Sequence, residues 1–119
     1  MDAASILAEV RDALRGELGA GYSAIAAFVE SQGQLLAEQA EFIARHRASG
    51  ELNDRMFAIL AKGLEDNTRN LANSVAMLTA LTLEKAWNAV AEALWGGMRT
   101  ILSAAGVSSE LLPATPPHV

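Results

Sequence analysis

The chain turns most clearly in its middle, at Arg45-His46-Arg47-Ala48-Ser49-Gly50-Glu51-Leu52. Basic residues followed by a glycine are typical of a helix C-terminus, and Asn53 or Asp54 can cap the helix that follows. Helix-forming residues dominate on both sides of this turn, from Ala3 to Ala105. The pattern predicts an all-α protein with two long helices, over residues 3–48 and 52–105.

Each long helix carries an apolar stripe at helical spacing. In the first helix the stripe comprises Ile6, Leu7, Val10, Leu14, Leu18, Ile25, Phe28, Leu35, Leu36, Phe42 and Ile43. In the second helix it comprises Phe57, Leu60, Leu64, Leu71, Val75 and Leu78. Folding at Ser49-Gly50 brings the stripes together and predicts a long antiparallel helical hairpin over residues 1–106. This register places Gln32 opposite Thr68.

Glycines and prolines mark two further boundaries. Gly16, Gly19 and Gly21 cluster in the first long helix and can kink or break it, so the sequence leaves two or three helices open. Gly106 ends the second long helix. The C-terminal tail, residues 107–119, is rich in proline, and we expect it to be extended.

The C-terminal third carries a wider apolar surface than one neighbouring helix can cover. Its bulky side chains are Trp87, Val90, Leu94, Trp95, Met98, Ile101 and Leu102. Leaving a large apolar side chain in water forgoes about 1.5–3 kcal/mol, and contiguous exposed apolar patches usually mark interfaces. Because a hairpin of this length is not expected to bury both tryptophans, these residues predict the interface of a homo-oligomeric bundle.

Polar residues recur inside the predicted hairpin seam. Gln32, Gln39 and His46 follow one another every seven residues, and Asn67 and Ser74 lie on the facing helix. One interpretation is a polar layer that fixes register and partner number, as a buried Asn does in coiled coils. A wet channel inside a ring of subunits is a second interpretation. Polar side chains that flank the seam and are partly open to water are the third.

Composition narrows the classes of protein and partner. The 119 residues allow one domain or one subunit of a larger assembly. The formal net charge of −5 argues against nucleic acid as the main partner, since phosphate binding needs clustered Lys and Arg. The N-terminus lacks the basic residues of a signal peptide, and the apolar stretch Leu71–Leu83 is shorter than the roughly 20 residues of a spanning helix. We therefore expect a cytoplasmic or virion-associated protein.

No residue combination points to catalysis, a metal or a cofactor. The chain has no cysteine and no Glu-x-x-His pair, and Glu41 and His46 stand five residues apart, on different helix faces. No serine lies in a Gly-x-Ser-x-Gly elbow, and Gly19-Ala20-Gly21 lacks the rest of a phosphate-binding pattern. We expect a protein without enzymatic activity, cofactor or metal.

One segment resembles a known class of protein. The stretch Leu83-Glu84-Lys85-Ala86-Trp87-Asn88-Ala89-Val90, continued by Ala93-Leu94-Trp95, is similar to a segment of small uncharacterised helical proteins encoded in bacteriophage and prophage gene blocks. Arg69-Asn70-Leu71 fits the same likeness, which covers about a third of the chain. The resemblance implies a virion or morphogenesis protein present in several copies, and it carries over no functional residues.

The sequence thus favours a structural or assembly protein that self-associates through its Trp-containing helix face. Two other functions stay open. One is a membrane-active protein that lays or inserts Leu71–Leu83 and the Trp-rich segment into a bilayer. The other is an adaptor or chaperone whose apolar face receives a helix from a different protein.

Overall fold

The computed structural model of the chain describes residues 1–107. Within them the chain forms α1 (Ala3–Leu18), a 3₁₀ segment (Gly19–Ala24), α2 (Ala26–Ala48), α3 (Asp54–Leu78) and α4 (Leu83–Ala104). The predicted all-α class is confirmed. The predicted extended tail lies outside the described residues except for Val107, whose N–H donates to the Leu102 carbonyl at the end of α4.

The first long helix is broken at the glycine cluster. Gly19 ends α1 with φ of +55°, a left-handed conformation that favours glycine, and its N–H donates to the Arg15 carbonyl. The 3₁₀ segment then reverses the chain, and its one buried residue is Tyr22. The break that the sequence left open is therefore present.

The second long helix is also broken, at Thr79-Ala80-Leu81-Thr82, a segment without glycine or proline. Thr79 ends α3 in an extended conformation, and Thr82 caps α4 by accepting a hydrogen bond from the Lys85 N–H at 3.2 Å. The prediction of one continuous helix over residues 52–105 is wrong. Four helices replace the two long ones, and α2 and α3 form the antiparallel hairpin about Ser49-Gly50.

The four helices pack as a bundle in which α2 and α4 are the central pair. Each of these two helices contacts all three others, whereas α1 and α3 lie on opposite sides of them. α1 and α4 approach each other closely at Gly97 of α4, where an added Cβ would stand 2.7 Å from Cγ1 of Ile6 on α1. Because Gly97 has no side chain, α1 and α4 can pack backbone to side chain.

The seven side chains assigned to an interface between copies lie in the core of the single chain. Trp87, Val90, Leu94, Trp95, Met98, Ile101 and Leu102 are each at most 5% exposed. The turn at residues 79–82 folds α4 back across the bundle, where α1, α2 and α3 cover its wide apolar surface. The assignment of these residues to an oligomer interface is therefore corrected, because in this fold one chain buries both tryptophans.

Candidate functional site

The exposed apolar surface lies on α2 and α3. Seven large hydrophobic side chains in residues 1–107 are exposed, and six of them belong to these two helices: Leu35, Phe42, Met56, Ile59, Met77 and Leu78. The seventh is Met1 at the N-terminus. In contrast, the wide apolar surface of α4 is buried. The candidate binding surface is therefore the outer side of the α2–α3 hairpin.

Three residues that the sequence assigned to the hairpin core belong to this surface. Leu35 and Phe42 are 59% and 53% exposed, and Leu78 is exposed at the end of α3. The stripe predicted for the first long helix was wide enough to include them, but in the bundle α2 turns Leu36 and Ile43 toward its neighbours. Their placement in the core is corrected.

Both helices present this surface with the alternating spacing of a coiled-coil seam. On α2 the seam residues are Phe28, Gln32, Leu35, Gln39, Phe42 and His46. On α3 they are Met56, Leu60, Gly63, Asn67, Asn70, Ser74 and Met77. Successive members of each set stand four and three residues apart in turn, so each set follows one side of its helix. We call the two sets together the α2–α3 face.

A groove of about 380 Å³ runs along the middle of the α2–α3 face. Its lining residues are Phe28, Gln32, Leu35, Leu36, Gln39, Asn67, Asn70, Leu71 and Ser74. None of the nine is charged, although the whole chain carries a net charge of −5. Depletion of charged residues is typical of the buried centre of a protein interface.

The predicted polar layer is found in this groove and is open to solvent. Gln39 and Asn67 meet across the hairpin, with the Asn67 Nδ2 donating to Gln39 Oε1 at 3.1 Å. Gln32 and Ser74 also line the groove. Within the single chain these side chains are therefore not a buried layer, and the interpretation of polar residues partly open to water fits their positions.

The observed hairpin register differs from the predicted one. Thr68 is fully buried and its Oγ1 donates to the carbonyl of Leu64 on its own helix, so it does not face Gln32 as expected. The predicted register would place Ala61 opposite Gln39, whereas Gln39 is hydrogen-bonded to Asn67. The pairing is therefore displaced along α3 by about 1.7 helical turns. Asn70, which stands four and three residues from Ser74 and Asn67, lines the groove as well.

His46 lies at the end of the face and belongs to the turn between the two helices. Its Nδ1 lies 2.9 Å from Glu51 Oε2, and its ring contacts the ring of Phe42 at 4.1 Å between centroids. The Ser49 hydroxyl donates to Glu51 Oε1 at 2.8 Å. These hydrogen bonds from Ser49 and His46, together with the nearby imidazole, lower the pKa of Glu51.

A second set of contacts fixes the turn from the other side. Arg47 donates to Asp54 Oδ1 at 2.7 Å and to the Leu52 carbonyl at 2.8 Å, and its guanidinium lies 5.1 Å from the centre of the Phe57 ring. A guanidinium at this distance from an aromatic ring is attracted by the ring quadrupole. These contacts link the end of α2 to the start of α3 across the turn.

The described part of the chain shows no assembled chemical centre. Within residues 1–107 there is no group of three or more His, Cys, Asp or Glu that could hold a metal ion. None of the helices in residues 1–107 has the length and hydropathy that a membrane span requires, and the α3–α4 turn interrupts the apolar stretch Leu71–Leu83. Among the described residues, two buried side-chain polar atoms lack a hydrogen-bond partner, the Tyr22 hydroxyl and Nη1 of Arg69.

The side chains that carry these two atoms each make a contact between an arginine guanidinium and an aromatic ring. Burial raises the pKa of Tyr22, and the Arg15 guanidinium lies 5.1 Å from its ring centre. Arg69 lies over the Trp87 ring at 4.7 Å and donates through Nη2 to Glu65. Both residues join neighbouring elements of the bundle.

Comparison with family models, curated proteins and solved structures gives no match to this chain.

Proposed function

We propose that this protein is a non-enzymatic assembly protein that works in several copies and self-associates through the α2–α3 face. The observation that carries the proposal is the concentration of exposed large apolar side chains on α2 and α3. Leu35, Phe42 and Met77 lie outside the buried core, and Met77 is 85% exposed. Apolar side chains clustered in this way usually mark a protein–protein contact.

The free energy that association costs is large enough that two copies must bury most of the α2–α3 face to stay together. Association costs about 4–15 kcal/mol in lost translational and rotational freedom. Burying one large apolar side chain completely contributes about 1.5–3 kcal/mol, and Leu35 and Phe42 are already about half covered. One or two contacts therefore cannot hold two copies together, whereas the apolar side chains of the whole face supply enough apolar surface on each copy. These are the exposed Leu35, Phe42, Met56 and Met77 and the partly buried Phe28 and Leu60.

The biological setting that we propose is a bacteriophage particle or its morphogenesis. The likeness to phage-encoded helical proteins lies in the first part of α4 and in Arg69-Asn70-Leu71 of α3. Trp87, Trp95 and Leu71 in these segments are buried in the core. Most of the residues in this likeness are buried in the core of the subunit or packed against it, and Asn70 is the one that lies on the α2–α3 face. A small all-α protein that associates with further copies of itself is consistent with a structural component of such a particle.

Light scattering on the purified full-length chain tests the proposal. We expect a homo-oligomer at tens of micromolar, and we expect Leu35→Glu to shift it to a folded monomer, because a charge would then be buried without a partner. Asn88→Glu is the matched control, since Asn88 is exposed on α4 outside the face. A wild-type chain that stays monomeric throughout this range would contradict the proposal.

A further inference from the structure

We propose that two copies of the chain pair with their α2 helices antiparallel, so that Leu35 of each copy lies at the two-fold axis. This inference rests on the proposed self-association and adds its geometry. The second copy presents the same α2–α3 face, as the isologous contact of a two-fold dimer requires. The α3 helices of the two copies then run antiparallel beside the α2 pair.

The apolar side chains on the exposed side of α2 are spaced symmetrically about Leu35. Phe28, Leu35 and Phe42 are spaced by seven residues in both directions from Leu35. Seven residues of helix rise about 10.5 Å. A two-fold rotation at Leu35 therefore places Phe28 of one copy opposite Phe42 of the second copy, and the reverse, with Leu35 against Leu35 between them. All three apolar positions then meet apolar positions.

The other two-fold arrangement, with α2 of one copy against α3 of the second, matches less well. The Gln39–Asn67 bond fixes the levels of the two helices, so Leu35 is level with Leu71, and the neighbouring side chain on the α3 surface is Asn70. In that arrangement Leu35 would cover the amide of Asn70. Covering a polar group without giving it a hydrogen bond is unfavourable.

Antiparallel pairing of α2 also gives the α3 surface suitable neighbours. Asn70 approaches Asn70 of the second copy near the axis, where each amide can donate to and accept from the other. Met77 approaches Gly63 of the second copy. Gly63 has open space where a side chain would stand, so it leaves room for the exposed Met77 side chain.

The size of the surface fits a stable dimer. Helices of 23 and 25 residues are about 35 Å long. With their axes about 10 Å apart, the pair offers a surface about 20 Å wide and on the order of 700 Å² in area. A standard stable interface buries about 800 Å² per partner. The groove at its centre is uncharged, so two acidic copies can meet there without burying like charges.

Cysteine cross-linking of the full-length chain tests this geometry, because the chain has no cysteine of its own. Leu35→Cys should form a disulfide-linked dimer on mild oxidation. It should do so at least about tenfold faster than Asn88→Cys on α4, since residues at the axis have a high effective concentration. A mixture of Phe28→Cys and Phe42→Cys should cross-link faster than either variant alone, because the two positions face each other only across copies.

The outcomes separate this inference from the proposed function. Fast cross-linking of Leu35→Cys together with the mixed Phe28–Phe42 product supports the antiparallel pairing. A wild-type dimer in light scattering whose Leu35→Cys variant cross-links no faster than Asn88→Cys would overturn the pairing and leave self-association standing. A wild-type monomer at every concentration would overturn both, and would assign the face to a different occupant.

Discussion

Gly97 shows how a single residue sets the distance between two helices. The nearest atoms to its absent Cβ belong to Ile6, which is fully buried, so a side chain at this position would have to displace a packed core residue. The neighbouring Gly96 is in the same helix, but nothing lies within 4 Å of its Cβ position. The two adjacent glycines therefore differ in packing alone, which makes them a matched pair.

We predict opposite effects on stability when each of these glycines is changed to alanine. Gly97→Ala should lower the free energy of unfolding by about 1–3 kcal/mol, because overpacking against Ile6 outweighs the helix propensity gained. Gly96→Ala should raise it by up to about 1 kcal/mol. Urea unfolding followed by circular dichroism measures both. Equal effects of the two changes would contradict the close approach of α1 and α4.

Glu51 gives the turn between α2 and α3 a dependence on pH. Its pKa is lowered from the ordinary 4.5 in the folded chain, so the ionised form stabilises the fold above that value and the contribution is lost as the pH falls through the lowered pKa. Glu51→Gln should therefore be less stable than wild type at neutral pH, and the difference should disappear in acid.

Denaturant titrations at several pH values between neutral and acid test the Glu51 prediction. Ser49→Ala should show part of the same loss at neutral pH, since the Ser49 hydrogen bond is the largest cause of the lowered pKa. If Glu51→Gln and wild type differed by the same amount at every pH, the contribution would not come from the ionised carboxylate.

At the scale of the element, the turn between α3 and α4 decides the architecture. Thr79 Oγ1 donates to the Val75 carbonyl and accepts from the Leu81 N–H, so one hydroxyl closes α3 and starts the turn. Thr82 then caps α4. Two threonines thus replace the glycine or proline that usually marks such a boundary.

Removing the Thr82 cap should destabilise the bundle as a whole, because α4 contacts every other helix. We predict that Thr82→Ala lowers the free energy of unfolding by about 1 kcal/mol, whereas Thr82→Ser keeps most of it, since serine offers the same acceptor to the Lys85 N–H. Thermal and urea unfolding measure both variants. A Thr82→Ala chain as stable as wild type would show that tertiary packing alone defines the start of α4.

Particular residues explain how far the sequence could predict the structure. Helix-forming composition predicted the all-α class, and Gly19 supplied a signal for the first break because its positive φ suits glycine. The second break has no such signal, since threonine hydroxyls act as caps only when the local geometry allows. Because the second break was not predicted, no helix of the same chain was expected to cover the apolar surface of α4. That surface was therefore predicted to be an interface between copies.

At the scale of the whole molecule, the bundle buries its bulkiest side chains and leaves apolar surface on α2 and α3. Trp87 and Trp95 are at most 1% exposed, between helices of one chain. The same chain exposes Leu35 and Phe42 beside an uncharged groove. The sequence pointed to the polar members of the groove, Gln32 and Gln39 among them, but the surface they belong to became visible only once the second break was known.

The central claim is that Trp87 and Trp95 lie in the core of a single chain. The most direct test measures tryptophan emission while the protein is diluted from tens of micromolar to concentrations at which any oligomer has dissociated. If Trp87 and Trp95 belong to the core of one chain, their emission stays at short wavelength and resists quenching by acrylamide at every concentration, including in the Leu35→Glu variant. A shift to longer wavelength that follows dissociation would place the tryptophans between copies and contradict the account.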